Sequence, residues 1–346
     1  AISTGWEEAH GPGAARNATG SFTNIFNPDD DPYLNANVSA HVSHQLSSAA
    51  EIGGDYFEAR TKKDFDSTNC DSSFTTCTPD FDNKQTQALR SYSLFTKQQL
   101  TENWKSSLRL GQSDDKNESW ALVPVAAAVI ADHFTTEQTQ FSWQNDFTTS
   151  IGRFMAAAEW RKEKVDTSKG LVVDSRTTKA LIGGYQGNFG SHDLQLSARV
   201  DDIQRLGTAR SGSFAYGYRF DNGFRAHASI GRAFHAPTFN ALYWPLDSIN
   251  LFQGNPSLKP ERSFNREIGL SYDTTYSTIN LTLYHNKVTN LINFVPSFVP
   301  PFIGQNENVS SATLRGATFD YTLRKNDWLW RAQYDALSAR NDVNGN

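Results

Sequence analysis

The sequence predicts an all-β protein in which antiparallel strands form an up-and-down transmembrane β-barrel. Three observations indicate this fold. Stretches of about ten residues alternate apolar and polar side chains, the connectors between them are alternately short and long, and no apolar run is long enough for a membrane helix. Each alternating stretch corresponds to one strand, which gives about fifteen strands over residues 1–346.

The composition is compatible with a barrel and excludes other classes of protein. Hydrophobic residues make up only 38% of the chain, and the longest mostly apolar run is Ala121–Ala131. A membrane helix needs about 20 apolar residues, whereas a barrel strand is apolar only at alternate positions. The net charge of −5 is too small to indicate a nucleic-acid partner.

The alternation is clearest on both sides of Asp221–Gly223, a tight-turn sequence in which Asn and Gly tolerate positive φ. The strands there are too long for a β-sandwich, the other architecture that alternates, because sandwich strands have about 5–6 residues. The polar faces of the strands in this chain contain Arg, Ser, Asn, Asp and Gly, as expected for a wide hydrated lumen. The predicted apolar faces are Leu194, Leu196, Ala198 and Val200; Phe214, Tyr216, Tyr218 and Phe220; Phe224, Ala226, Ala228, Ile230 and Phe234; and Ile279, Leu281 and Leu283.

Several tryptophans lie near predicted strand ends, where a membrane interface would place them, although strands are also enriched in aromatic residues in general. They are Trp104, Trp143, Trp160, Trp328 and Trp330.

The predicted connectors alternate in length along the whole chain. In an outer-membrane barrel, the short turns face the periplasm and the long loops face outward. Short connectors are predicted at Leu46–Ala50, Leu100–Asn103, Thr149–Gly152, Asn188–His192, Phe220–Gly223, Asp273–Ser277 and Arg324–Asp327. Long connectors are predicted at Pro28–Tyr33, Thr61–Gln85, Ser113–His133, Lys164–Thr178, Asp202–Ser211, Pro237–Arg262 and Thr289–Thr313.

Three motifs occur in order within the last third of the chain. They are RAFHAPTF at Arg232–Phe239, GNPSLKPE at Gly254–Glu261 and NKVTNLI at Asn286–Ile292. Together they resemble the barrel signature of TonB-dependent outer-membrane receptors. The segment NALYWP at Asn240–Pro245 is most similar to the cobalamin (vitamin B12) receptor branch of that family.

The resemblance implies that residues 1–346 are a partial receptor barrel of a family with about 22 strands. Family members carry a plug domain and a TonB-contacting segment before the barrel. The chain opens at Ala1 without a signal peptide and stops at Asn346 inside an expected external loop. We therefore expect the plug and the last strands to lie outside this sequence.

The resemblance also implies active import across the outer membrane, in contact with its lipid and with energy from the TonB complex. The expected ligand is cobalamin, with a ferric siderophore as the alternative. No histidine occurs between Thr238 and Gly254, which weighs against haem. We expect Tyr243 and Trp244 to contact the ligand, although their rings are also compatible with the aromatic girdle of the barrel rim. A passive porin or structural barrel is the alternative from a different class.

The sequence carries no pattern that indicates an enzyme. The eight histidines are scattered, and neither Gly-x-Ser-x-Gly nor His-Glu-x-x-His occurs. We therefore predict that the protein is not an enzyme.

Two cysteines, Cys70 and Cys77, lie in one predicted loop. An even pair in an exported protein predicts a disulfide, with a metal site as the alternative.

Acidic residues cluster in the first two long connectors. The cobalamin receptors carry an Asp-rich calcium site in the corresponding loops, so the resemblance implies calcium here, and carboxylates are suitable ligands. A solvated acidic loop is the alternative. The expected ligands are Asp29, Asp31, Asp71, Asp80 and Asp82.

Overall fold

The computed structural model describes the backbone of residues 1–11, 30–70, 77–123, 128–247 and 251–342. Side chains are described for residues 1–11, 30–65, 83–120, 131–247 and 251–342. The elements are β1 Ile2–Gly11, β2 Asp31–Ser47, β3 Ala50–Cys70, β4 Cys77–Thr101, β5 Trp104–Val123, β6 Ala128–Thr149, β7 Gly152–Thr167, β8 Ser175–Phe189, β9 His192–Ile203, β10 Gly207–Arg219, β11 Phe224–His235, helix α1 Phe239–Tyr243, β12 Phe252–Gln253, β13 Glu261–Asp273, β14 Ser277–Val295, β15 Gly304–Lys325 and β16 Trp328–Asn341.

The strands confirm the predicted all-β, up-and-down fold. Each long strand pairs with its neighbour in the sequence, and the two-residue strand β12 adds to β15 in parallel. Without β12, the described strands number fifteen, as the alternation predicts. The sandwich alternative is wrong, because these strands form one sheet in sequence order. In the part of the chain that the structure describes, no helix is long and apolar enough to cross a membrane.

The seven short connectors lie where the sequence predicts them, between β2 and β3, β4 and β5, β6 and β7, β8 and β9, β10 and β11, β13 and β14, and β15 and β16. At the β10–β11 turn, Gly223 has φ 85° and the Phe220 amide donates to the Phe224 carbonyl at 2.8 Å. A positive φ at this position favours glycine, which is why Asn-Gly predicts the turn.

Most of the long connectors are shorter than predicted. Thr61–Gln85 was expected to be a loop, yet β3 continues to Cys70 and β4 begins at Cys77. Backbone ladder bonds do not depend on side-chain polarity, so pairing continues where the apolar alternation has ended. The prediction that Trp160 lies near a strand end is also wrong, because it lies inside β7.

The chain divides into two compact units, which we describe separately. Unit one comprises Ala1–Lys97, Leu108–Phe141 and Arg161–Ser175. Unit two comprises Gln98–Ser107, Ser142–Trp160 and Arg176–Asn346.

The apolar faces of the unit-two strands are exposed instead of forming a protein core. Phe214 is 40% exposed, Ile230 47% and Leu270 43%. Register places Phe214 directly opposite both Leu196 and Ile230, so the alternating apolar positions of successive strands join into one surface. A continuous exposed apolar surface on long strands is typical of lipid contact.

Candidate functional site in the connector between β11 and β13

The connector between β11 and β13 folds around a short helix with its own small core. Thr238 caps α1, because its Oγ1 accepts a hydrogen bond from the Ala241 amide at 3.1 Å. Leu242 is 1% exposed and packs with Ala241 and Leu258. This apolar cluster holds the first and last parts of the connector together.

Arg176, near the start of β8, binds the start of this connector. Its Nη1 donates to the Pro237 carbonyl at 3.0 Å, and its guanidinium lies 4.9 Å from the centre of the Phe239 ring. A cation over an aromatic ring adds electrostatic attraction to the hydrogen bond. Arg176 therefore ties α1 to a strand that is distant in sequence.

Gly254 closes the connector against the end of α1. Its amide donates to the Trp244 carbonyl at 3.0 Å, and the Asn255 amide donates to the Ala241 carbonyl at 2.8 Å. A Cβ on Gly254 would lie 2.6 Å from the Trp244 amide nitrogen, closer than side-chain carbons approach backbone atoms. This close approach explains the glycine of the GNP motif.

The rest of the GNPSLKPE motif is tied to β14 and β15. Asn255 accepts from the Ser257 amide at 3.0 Å and donates to the Asn306 carbonyl at 2.9 Å. The Glu261 carboxylate accepts from the Ile292 amide at 2.8 Å. The motif residues thus order the connector on its neighbouring strands.

Asn308 completes this attachment, and sequence reasoning missed it. Its Oδ1 accepts from the Lys259 amide at 2.8 Å, and its Nδ2 donates to the carbonyls of Lys259 and Asn290 at 2.9 and 2.8 Å. Asn290 has φ 57° at a register shift between β14 and β15. Asn290 belongs to the NKVTNLI motif. This motif is the sequence feature that could have indicated an irregular backbone at Asn290.

The structure places Tyr243 and Trp244 at the end of α1. Both are half-buried, and the Tyr243 ring lies 6.3 Å from that of Phe239. Tyr243 also packs against the Leu242 cluster. This packing fixes one side of the Tyr243 side chain, which is only half-buried. Their role as ligand contacts stays a prediction.

The residues predicted to bind calcium lie mostly outside the described side chains. Asp29 and Asp71 lie outside the described residues altogether, and Asp80 and Asp82 lie in β4 with side chains that are not described. Asp31 begins β2, opposite Gly11. Within the described residues, no group of three or more His, Cys, Asp or Glu is arranged to hold a metal. The calcium site stays a prediction.

The two cysteines also lie outside the described side chains. Cys70 is the last residue of β3 and Cys77 is the first of β4. The disulfide stays a prediction.

Several charged side chains on the polar face of unit two form ion pairs, which the alternation alone does not reveal. Arg199 lies 2.6 Å from the Glu159 carboxylate and 2.9 Å from that of Asp201, which is 2% exposed. Asp193 pairs with Arg219 at 3.2 Å and with Arg225 at 3.6 Å. Such compensated charges suit a polar, hydrated surface.

Unit one carries a similar polar network around Asp55. Its carboxylate lies 2.6 Å from His41 Nδ1 and 2.9 Å from Arg109 Nη1, and it accepts from Ser93 Oγ at 3.1 Å. Phe95 packs beside this network, with its ring stacked 5.8 Å from that of His41. In both networks, the charged side chains are paired with one another.

Comparison with known proteins gives one consistent result. Residues 5–346 match the family model described as TonB dependent receptor-like, beta-barrel. The vitamin B12 transporter of Photobacterium profundum is 28% identical over 239 residues, which are 68% of this chain and 38% of that protein. The chain therefore spans well under half the length of this curated relative.

Solved structures of similar fold include two receptors. The siderophore receptor PirA of Acinetobacter baumannii has a TM-score of 0.76 at 16% identity, over 99% of this chain and 58% of that one. A ferric enterobactin receptor mutant of Pseudomonas aeruginosa has a TM-score of 0.73 at 16% identity, over 94% of this chain and 54% of that one. At this identity, the two structures establish a shared fold.

Proposed function

The chain belongs to the TonB-dependent receptor β-barrel family, and on that premise we propose that the protein containing it imports cobalamin across the outer membrane. Cobalamin binds at the external face, and energy delivered through TonB drives its release inward. The family is one of outer-membrane receptors and transporters, which confirms the outer-membrane location and the prediction that the protein is not an enzyme. The passive-porin alternative is not supported.

Two observations support the choice of cobalamin. A relative that matches 68% of the chain is a vitamin B12 transporter, and the segment NALYWP forms the end of helix α1 in the connector. Half-buried aromatic rings on a fixed backbone offer contact area at little entropic cost. In the proposal, Tyr243 and Trp244 contact the corrin ring system of cobalamin.

A ferric siderophore is the second candidate ligand. The siderophore receptors resemble the chain in fold at 16% identity, which gives no information on ligand choice. The paired charges around Asp193 and Arg199 are compatible with passage of either polar ligand.

We include calcium and the disulfide in the proposal as devices that order the external connectors. Register supports the first of these, since Tyr33 in β2 lies opposite Lys63 in β3. The start of β2 and the last part of β3 therefore lie at the same end of the strands. Carboxylates from both segments would bind calcium at about 2.3–2.6 Å.

Equilibrium binding by the full-length protein in detergent tests the proposed ligand. Cyanocobalamin and ferric enterobactin are titrated separately, with the apparent Kd of each measured by tryptophan fluorescence quenching. The proposal requires tighter binding of cyanocobalamin. Preference for the ferric chelate would contradict it and assign the protein to siderophore uptake.

A further inference from the structure

Helix α1 is too short to hold its own position. It has five residues, Phe239–Tyr243, and its first turn contains no acidic side chain that would stabilise it. Isolated helices shorter than about 12 residues are marginal in water, so the position of α1 depends on contacts with the rest of the protein. The placement of Tyr243 at the end of α1 therefore depends on the residues that fix the start of the helix.

Arg176 in β8 fixes the start of α1 through two groups. Its Nη1 donates to the Pro237 carbonyl at 3.0 Å, and its guanidinium lies 4.9 Å from the centre of the Phe239 ring. Both partners are buried, since Pro237 is less than 2% exposed and Phe239 is 7% exposed. A charge-assisted hydrogen bond and a cation–π contact are stronger in such surroundings than in water.

The backbone beside Arg176 is itself held in place. Gln204, in the connector between β9 and β10, accepts from the Thr177 amide through Oε1 at 3.1 Å. The amide of Gln204 donates to the Thr177 carbonyl at 2.9 Å. Leu206 in the same connector packs against the Leu242 cluster. The guanidinium therefore extends towards α1 from a fixed point on β8.

Side chains that share a face of β8 with Arg176 are buried. Thr178 and Ala180 follow Arg176 at intervals of two and are 3% and 5% exposed. Ile203, opposite Thr178 in β9, is 3% exposed. On the other face of β8, by contrast, Leu181 is 68% exposed. This burial indicates that the connector lies against the polar face of the sheet at Arg176.

The ring that Arg176 contacts lies beside the ring of Tyr243. Tyr243 follows Phe239 by four residues, so the two side chains lie on the same side of α1. The centres of the rings are 6.3 Å apart. The Leu242 cluster is the other surface against which Tyr243 packs. A displaced Phe239 would therefore remove one of the two surfaces that hold the Tyr243 ring.

We infer that Arg176 is a positioning residue of the ligand site, which acts on the Tyr243 ring through Phe239. The inference rests on the proposed function, in which Tyr243 contacts cobalamin. Arg176 holds the ring in place before the ligand arrives, and a contact that is ordered in advance loses less entropy on binding. A residue of β8 thus sets the affinity of a contact in the connector between β11 and β13.

Equilibrium binding by the full-length protein in detergent tests this role. Arg176→Met and Arg176→Lys both keep a long stem, but only lysine keeps the charge and a hydrogen-bond donor. The apparent Kd for cyanocobalamin is measured by tryptophan fluorescence quenching. The matched control is Arg210→Met, which removes the same charge from an exposed residue on the apolar face, opposite Val200.

We expect Arg176→Met to weaken binding about 10-fold, a typical size for coupling between two sites. Arg176→Lys should keep the larger part of the affinity, and Arg210→Met should bind as the parent does. In protein that already carries Tyr243→Ala, Arg176→Met should have no further effect, because the ring that it positions is gone. A merely structural role would weaken binding equally in both backgrounds.

Hydrogen exchange of the ligand-free protein tests the positioning role without cobalamin. The amides of α1 should exchange faster in Arg176→Met than in Arg176→Lys or the parent. One of them is the Leu242 amide, which donates to the Thr238 carbonyl at 3.1 Å. If the parent failed to bind cyanocobalamin, the proposed ligand would be wrong, and the exchange rates would still decide whether Arg176 fixes α1.

Three results would overturn the inference. The first is parent-like affinity and exchange in Arg176→Met, and the second is an equal loss of affinity in Arg210→Met. The third is full additivity of Arg176→Met and Tyr243→Ala, which would show that Arg176 does not act through this ring. The gel mobility of unheated protein verifies that every variant is folded.

Discussion

The side chain of Asn308 binds both backbone groups of Lys259, from which it is separated by 49 residues. Its Oδ1 accepts from the Lys259 amide at 2.8 Å and its Nδ2 donates to the Lys259 carbonyl at 2.9 Å. These two hydrogen bonds resemble those between paired strands, although Lys259 lies two residues before the start of β13. Together with Asn255 and Glu261, Asn308 holds the GNPSLKPE motif on β14 and β15.

Asn308→Ala is therefore expected to loosen the connector while the sheet stays intact. The change removes three hydrogen bonds to the backbone of Lys259 and Asn290, each of which contributes about 0.5–1.5 kcal/mol net. Limited proteolysis of the folded protein should cut faster between α1 and β13, and cobalamin affinity should fall. Asn293→Ala is the control, because Asn293 is exposed and donates to Ser310 at 3.1 Å. Equal proteolysis of the two variants would contradict the role of Asn308.

Gly254→Ala is expected to displace the end of α1. The added Cβ would meet the Trp244 amide nitrogen at 2.6 Å, and relieving such a contact typically costs about 1–3 kcal/mol. We expect weaker cobalamin binding and faster hydrogen exchange of the backbone amides in the connector. Gly183→Ala in β8 serves as the control, since an added Cβ there has no atom within 4 Å. Wild-type binding by Gly254→Ala would show that the connector accommodates the methyl group.

Tyr243→Ala combined with Trp244→Ala tests the proposed ligand contacts. Loss of two ring contacts should weaken cyanocobalamin binding by about 10- to 100-fold, at about 1–3 kcal/mol in total. Fluorescence quenching measures the affinity. Trp328→Ala is the control, because this exposed ring adjoins a short turn. Unchanged affinity in the double variant would indicate that the two rings belong to the aromatic girdle of the barrel rim and do not contact the ligand.

Calcium is expected to strengthen cobalamin binding. Chelation with EGTA should lower the affinity, and Asp31→Asn with Asp82→Asn should weaken binding only when calcium is present, because the change removes ligand charge. Isothermal titration with and without calcium measures both effects. Asp221→Asn with Asp327→Asn, which changes two exposed aspartates near short turns by the same charge, should have no effect. Affinity indifferent to the chelator would identify the aspartates as solvated residues.

A disulfide between Cys70 and Cys77 is expected in protein isolated from outer membranes. Peptides that span Asp64 to Lys84, analysed without reduction, should show one cross-linked species two hydrogen atoms lighter than the reduced form. The ring is small, so its contribution to stability is limited to roughly 2–3 kcal/mol. Free thiols in the isolated protein would exclude the bond.

The sequence alone determined the number and order of the long strands, the short turns between them and the family. Phe214 and Ile230 lie on the outer face as their alternation predicts, and the turn at Gly223 forms where Asn-Gly occurs. These features are local, because side chains alternate with a period of two and a tight turn needs residues that tolerate positive φ. A local pattern therefore locates a strand and its turn without knowledge of its partners.

The tertiary structure decided which residues meet. Asn308 reaches Lys259 and Arg199 reaches Glu159 because pairing across several strands sets the register between segments far apart in sequence. The same register places Arg232 and Lys287 on either side of Phe264, although these residues lie far apart along the chain. No local pattern encodes such a contact, since the partner of a side chain is fixed only when the neighbouring strand has taken its place in the sheet.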